Sequence, residues 1–327
     1  MGRDGPRYAQ RLRAGGGDEV KVSLITTVKD SRPHVEEFLR SLAAQTRPPE
    51  EVIVVDGGST DGTLDVLRGA EGISLIEESG ANIARGRNVA IAAAAHDVIA
   101  VTDADCVLDP GWLASLLEPL ASGADVSMGF YAPITEGFLQ GCMAAVNLPM
   151  SADEVDPARF MPSARNVAFR RTAIEAAGGY PEWLDIGEDM WVNHRWRELR
   201  LDMRFVPDAV VHWRLRPTLA ATWAQYFRYA RGDARAGMYP ERHAMRFGGY
   251  IGLAVALASG RAWPKVAAAG GGAAYARTPV RRAWKRFDGP TERALAVVVV
   301  PTLMFWIDTA KMAGYAVGLA GRASRPT

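Results

Sequence analysis

The chain has little cysteine, almost no net charge and no apolar run long enough to settle a membrane span. Its two cysteines, Cys106 and Cys142, supply no disulfide framework and suit a reducing compartment. The net charge of +1 identifies no partner by itself, and no nucleic-acid partner is expected. The first nineteen residues are rich in arginine and glycine and lack an apolar core. They are expected to form a mobile tail rather than a secretory signal. The glycines of Gly80-Ala-Asn-Ile-Ala-Arg-Gly-Arg-Asn88 do not follow the G-x-G-x-x-G spacing, so a nicotinamide cofactor is not supported. No glycine interrupts Thr26–Pro33. A sugar-nucleotide nucleotidyltransferase would carry a Gly-rich, Arg-containing loop at this place, after its first strand.

What is present is ordinary for a globular protein: 48% hydrophobic and 23% charged residues in a chain of 327. From Val20 to Cys106, short apolar runs alternate with longer amphipathic ones. Strands are expected at Val20–Val28, Val52–Val55, Ile73–Ile76 and Val98–Thr102. Helices are expected at His34–Gln45, from Asp61 or Gly62 to Leu67, and at Ile83–Ala95. This order argues for parallel βαβ units covered on both faces, with ligands held outside the carboxyl ends of the strands. Pro110–Leu120 then reads as a helix and Asp125–Phe130 as a strand. Beyond Ser163 the pattern is less regular: a strand at Arg165–Arg170, helices at Arg171–Ala177 and Glu188–Leu199, and a bent strand or strand pair at Phe205–Trp213.

The last third differs. Between Arg228 and Arg293 thirteen Lys/Arg face four acids, a local charge of +9. Gly248–Ser259 and Ala294–Ile307 are strongly apolar, with Tyr250, Trp263 and Trp306 near their ends. Fourteen residues of helix cover only about 21 Å, short of a bilayer core. Pro301 is expected to kink the second run, and Asp308 and Lys311 to interrupt it. Interfacial or re-entrant helices flanked by Arg277, Arg281, Arg282, Lys285 and Arg286 therefore fit better than a full span. A buried helical subdomain is the other reading. The expected division is a tail over 1–19, a catalytic domain over 20–235 and a membrane-associated helical region over 236–327.

Four short signals carry chemistry. Asp56-Gly-Gly-Ser-Thr-Asp-Gly-Thr63 closes a strand with glycines that let backbone approach a ligand and with Ser59 or Thr60 placed to cap a helix. A capped strand-to-helix turn alone would look the same. Arg85 and Asn88, three apart on one helix face, could reach a phosphate or ribose, or could simply be solvated. Asp103-Ala-Asp105 aims two carboxylates the same way at a strand's end. They repel unless a cation is close, and hard oxygen ligands suit Mg²⁺ or Mn²⁺. Glu188-Asp189 opens a helix, where the dipole favours acids and where one of them could act as a general base.

In this order, Asp56 to Thr63, Asp103-Ala-Asp105 and Glu188-Asp189 resemble the inverting glycosyltransferases of family 2, over roughly Val20 to Arg235. The resemblance implies a GT-A fold, an α/β fold with a mostly parallel twisted sheet and flanking helices, followed here by C-terminal membrane-associated helices. It also implies a nucleoside-diphosphate sugar donor. Asp56 would bond the base, Asp103 the ribose or the metal, and Asp105 the Mn²⁺ or Mg²⁺. Asp189 would be the catalytic base, with Glu188 beside it, and His212 would resemble the histidine some members place near metal and diphosphate. Gln225-Tyr-Phe-Arg-Tyr229 loosely resembles the Q-x-x-R-W signature of polymer-forming members, with Tyr229 in place of tryptophan. Tyr229 could stack on an acceptor sugar, and Arg228 or Arg231 could hold the diphosphate. The expected reaction is a single transfer to a lipid-linked or glycan acceptor at the cytoplasmic face of the cell membrane. A catalytically silent membrane scaffold is the competing reading, opposed by the intact Asp56, Asp103, Asp105 and Asp189.

Overall fold

The computed structural model describes residues 20–323, and the expected N-terminal tail lies outside them. The described chain forms two compact units. One runs to Ala132 and resumes over Val155–Arg214; the other takes Pro133–Glu154 and the chain from Leu215 onward.

The first unit is an eight-stranded sheet in the order β3-β2-β1-β4-β7-β6-β8-β5. Strands β1 (Val22–Val28), β2 (Glu51–Asp56), β3 (Ser74–Glu77) and β4 (Val98–Val101) are the apolar runs of the sequence. They pair in parallel, as apolar strands buried on both faces do. The other half is antiparallel: β7 (Val167–Arg170) runs against β4 and β6 (Val126–Ile134), and β8 (Met203–Arg214) against β5 (Cys106–Leu108). The sheet is therefore mixed, and the Phe205–Trp213 region is one long strand. Helices α1 (Arg32–Ala43), α2 (Thr63–Arg68), α3 (Ile83–Ala93), α4 (Trp112–Ala121), α6 (Arg171–Ala177) and α7 (Glu188–Glu198) flank it. Ile25, Ile53, Ile99, Phe169 and Trp196 anchor the core, with Phe169 and Trp196 ring centroids 5.3 Å apart. Helix α3 lies close to β1 because Gly86 carries no side chain; a Cβ there would stand 2.9 Å from the Thr27 methyl.

The second unit is helical: α5 (Gly137–Asn147), α8 (Leu219–Ala236), α9 (Pro240–Ala258), α10 (Ala262–Arg286) and α11 (Pro290–Ala323). Helix α8, which the sequence pattern places with the catalytic domain, packs here along α11. Contact is close because Gly314 and Gly318 meet α8 backbone at Phe227 and Arg231, where a Cβ would collide with the carbonyl oxygens. Helix α11 is continuous over 34 residues, with Pro301, Asp308 and Lys311 all inside it. Asp308 is buried yet supplied with donors: Arg246 Nε at 2.7 Å, Tyr250 hydroxyl at 3.0 Å and Tyr275 hydroxyl at 2.9 Å. Among the described residues, Pro290–Arg322 is the one helix long and apolar enough to cross a membrane, with 39% of its most apolar window buried. Exposed apolar side chains crowd α9 and the start of α10, including Ile251, Val255, Leu257, Trp263 and Val266 at 61–71% exposure.

Candidate active site

Three loops leave the parallel strands at their carboxyl ends and are sewn together. Asp56, at the end of β2, is 1% exposed and accepts hydrogen bonds from the Gly58 and Ser59 amides, both at 2.9 Å, and from the Ser59 hydroxyl at 2.5 Å. The turn needs Gly58 at φ 92, a conformation costly for a side-chain-bearing residue. The loop after β1 joins it: Asp30 accepts from the Thr60 amide at 2.8 Å, and Ser59 and Thr63 hydroxyls accept from the Asp30 and Ser31 amides. Gly80 amide donates to the Gly57 carbonyl, bringing in the loop after β3.

Past β4, Asp103 meets a buried cation. Arg87 projects from α3 on the stripe that also holds Ala84, Ala90 and Ile91, and it is 2% exposed. Its guanidinium bonds Asp103 Oδ1 at 3.0 Å and Glu188 Oε1 at the start of α7, and it stacks over Tyr180 at 5.3 Å. A second cation, Arg165, approaches Asp103 Oδ2 at 3.7 Å while lying 4.1 Å over the Trp213 ring. One guanidinium thus ties the carboxylate after β4 to the acidic start of α7. Burial raises Glu188, the Arg87 charge pulls it back and neighbouring Asp189 adds to the rise, leaving it at about 7. Burial also raises the Tyr180 hydroxyl well above its ordinary value, keeping it neutral. Asp189 is half-buried; Ala164 amide at 3.2 Å and Ser163 hydroxyl at 3.4 Å orient its carboxylate.

The residues expected from sequence fall unevenly around this centre. Asp103, Glu188 and Asp189 come together through Arg87, while Asp56 shapes the neighbouring loop. Arg85 points elsewhere: its guanidinium bonds Glu78 at 2.6 Å and pairs with Glu182 at 3.7 Å, so two carboxylates already neutralise it. Asn88 is spent on the next loop, donating to Tyr180 carbonyl at 2.8 Å and accepting from Tyr180 amide at 2.9 Å. Arg87, between them, is the cation that reaches the site. His212 also stands apart. It pairs with Val107 on β5 and bonds Asp109 Oδ1 at 2.7 Å. Its neighbour Trp213 lies under Arg165, the cation near Asp103, and adjacent strand residues point to opposite faces, so His212 is turned away. Arg228, Tyr229 and Arg231 lie on α8 in the second unit, where Tyr229 hydroxyl accepts from the Gln225 amide at 2.8 Å.

Among the described residues no three His, Cys, Asp or Glu side chains converge as a self-sufficient metal site. Hard divalent cations bound by one or two carboxylates take their other ligands from substrate phosphates. Asp105, with Asp103 two residues before it, offers a donor set of that kind.

The fold and part of the sequence have counterparts among known proteins. Residues 23–176 match Glycosyl transferase family 2. Over these residues the chain is similar to the family 2 glycosyltransferases. Glycosyltransferase AglE of Haloferax volcanii is 25% identical over 228 residues, which are 66% of this chain and 74% of that protein. TuaG of Bacillus subtilis is 38% identical over 91 residues, 26% of this chain and 35% of its own length. Among solved structures, the mannosyltransferase PcManGT of Pyrobaculum calidifontis, in complex with GDP-Man and Mn²⁺, superposes with a TM-score of 0.52 at 19% identity. That superposition covers 92% of this chain and 86% of the other. The likeness gives this glycosyltransferase the GT-A fold. Sequence reasoning missed Arg87 and Arg165; an arginine on an otherwise small and apolar helical stripe was the available signal for the first.

Proposed function

We propose that this glycosyltransferase moves a sugar from a nucleoside-diphosphate sugar to an acceptor hydroxyl by a single inverting displacement, assisted by Mn²⁺ or Mg²⁺. The observation that carries the reading is the Arg87 bridge, which links a donor-side carboxylate, Asp103, to the Glu188-Asp189 pair. The woven loops around Asp56 and Gly57–Thr60 form a polar floor of amides and hydroxyls suited to a nucleoside. That PcManGT is in complex with GDP-Man and Mn²⁺ supports donor and metal of this kind. Asp105 and Asp103 would hold the cation, whose chemistry is to neutralise the charge that grows on the leaving diphosphate.

Division of labour within the acidic pair follows from what each carboxylate already touches. Glu188 is 4% exposed and committed to Arg87. It is a positioning residue, holding the guanidinium that fixes Asp103. Asp189 is more accessible than Glu188 and is not engaged by Arg87. It would take the acceptor proton as the hydroxyl attacks the anomeric carbon from the face opposite the diphosphate. No covalent sugar–enzyme intermediate is needed.

Membrane attachment belongs to the same proposal. Many large apolar side chains of α9, α10 and α11 are exposed, in a part of the chain that is strongly basic. The acceptor would then be a lipid-linked or glycan hydroxyl at the cytoplasmic face of the membrane. Screening nucleotide sugars for a rise in unfolding temperature with Mn²⁺ present, then for nucleotide release, tests the donor reading. At least one donor is expected to stabilise the protein and turn over. Stabilisation by none of them, with or without metal, would refute it.

A further inference from the structure

Between α10 and α11 runs a groove of about 690 Å³, formed wholly within the helical unit. Its floor is apolar, from Ala276 and Val280 on α10 to Val297 and Pro301 on α11. Arg277, Arg281 and Lys285 also line it. Spaced four apart, they fall on one face of α10 as a row of cations, all exposed. The two basic residues on the opposite face are used inside the unit. Arg282 bonds Glu154 at 2.7 Å, and Arg286 bonds the Thr135 hydroxyl. That opposite face is also the packed one, with Ala283 and Phe287 buried and the Phe287 ring 4.8 Å from Phe138. The row of three has no acidic partner among the described residues. An apolar trough edged by unpaired cations is complementary to an amphiphile with an anionic head and aliphatic chains. A polar ligand would leave the floor uncovered, and a neutral lipid would leave the cations unanswered.

We infer that the α10–α11 groove seats one anionic phospholipid of the bilayer, its phosphate on the Arg277–Arg281–Lys285 row and its acyl chain along the apolar floor. The inference rests on the proposed membrane attachment but adds a defined lipid site to it. It makes lipid composition, and not apolar insertion alone, a determinant of where the enzyme resides.

Cosedimentation of the full-length protein with two kinds of vesicle tests it: phosphatidylcholine alone, and phosphatidylcholine with one fifth phosphatidylglycerol. Wild type is expected to prefer the anionic vesicles strongly. The triple substitution Arg277→Gln, Arg281→Gln, Lys285→Gln should weaken anionic-vesicle binding roughly a hundredfold, at about fivefold per cation. A charge-matched control, Arg40→Gln, Arg195→Gln, Arg204→Gln on the first unit, should stay within about twofold of wild type. Filling the groove by Ala276→Phe with Val297→Phe keeps every cation, yet should cost about tenfold and remove the phosphatidylglycerol retained in native mass spectrometry. Circular dichroism verifies that each variant is helical. If the filled variant binds like wild type, or the triple variant like its control, the lipid site is refuted. Equal wild-type binding to both vesicles would overturn the site and leave membrane attachment standing. Binding to neither would overturn both.

Discussion

Replacing Arg87 with methionine removes the charge while keeping most of the aliphatic volume, so it isolates the bridge between Asp103 and Glu188. Arg87 is 2% exposed, and both of its partners are acids on other elements of the first unit. Removing one partner of a buried ion pair costs roughly 3–5 kcal/mol, because the remaining charge is left uncompensated. Here Glu188 can escape part of that cost by taking a proton, since burial already holds it at about 7 with the arginine in place. The lower end, about 3 kcal/mol, is therefore expected near neutral pH. At ~2–4 °C per kcal/mol for a unit of this size, the unfolding temperature should fall by roughly 6–12 °C.

The pH dependence carries a definite sign. A carboxyl whose folded value is raised contributes stability that is fully present below its ordinary value of 4.5 and is lost as pH rises toward the folded value of about 7. Without Arg87 that folded value rises further, so the loss continues above pH 7. The gap between wild type and Arg87→Met should widen from pH 6 to pH 8.5. Adding Glu188→Gln removes the stranded charge, so the double variant should recover stability relative to Arg87→Met and lose the widening. Thermal unfolding across that pH range reads both effects. A gap that is constant with pH, or a double variant less stable than Arg87→Met alone, would refute the bridge as described.

Other outcomes follow from the same contacts. Asp308→Ala strands Arg246 and releases the hydroxyls of Tyr250 and Tyr275; a loss of roughly 3–5 kcal/mol is expected, seen as faster tryptic cleavage between α9 and α10. Gly314→Val drives a branched side chain into the Phe227 carbonyl and should destabilise the packing of α8 on α11 by at least about 2–3 kcal/mol, read by urea denaturation. Paired Val255→Asp and Leu257→Asp substitutions on exposed α9 positions should leave the fold intact and shift protein from the membrane to the soluble fraction; an unchanged distribution would count against insertion of that face. His212→Ala should leave the metal response of turnover unchanged, because its ring is engaged by Asp109.

The parallel half of the sheet was legible because strands buried on both faces are written as uninterrupted apolar runs, from Val22–Val28 to Val98–Val101. Asp103 and Asp105 were legible for the same reason: charge that follows such a run marks the strand's end. The antiparallel half was harder. Strand β5 is three residues long, and helix α5 has only Gln140 and Asn147 to mark a polar face. Helix α10 contains a Gly/Ala-rich stretch that reads as low complexity, and its stripe is visible only through the spacing of Arg277, Arg281 and Lys285. At the site, spacing alone misassigned α3. Arg85 and Asn88 share a face, but that face meets Glu78, Glu182 and Tyr180. Arg87 is the residue carried inward, with Ala84, Ala90 and Ile91. His212 could not be read either, since which face of β8 it takes depends on pairing with β5.

The most direct measurement compares wild type with Asp189→Asn for turnover and donor binding side by side. With a donor found by the nucleotide-sugar screen, Asp189→Asn should lower kcat by at least about a hundredfold, within the ~10²–10⁴ range of a positioned base, while the Kd for donor stays within about threefold. Glu188→Gln should instead change donor binding together with turnover, as a residue that holds Arg87 would. An Asp189→Asn enzyme turning over at near wild-type rate with unchanged donor affinity would contradict the assignment of Asp189 as the base.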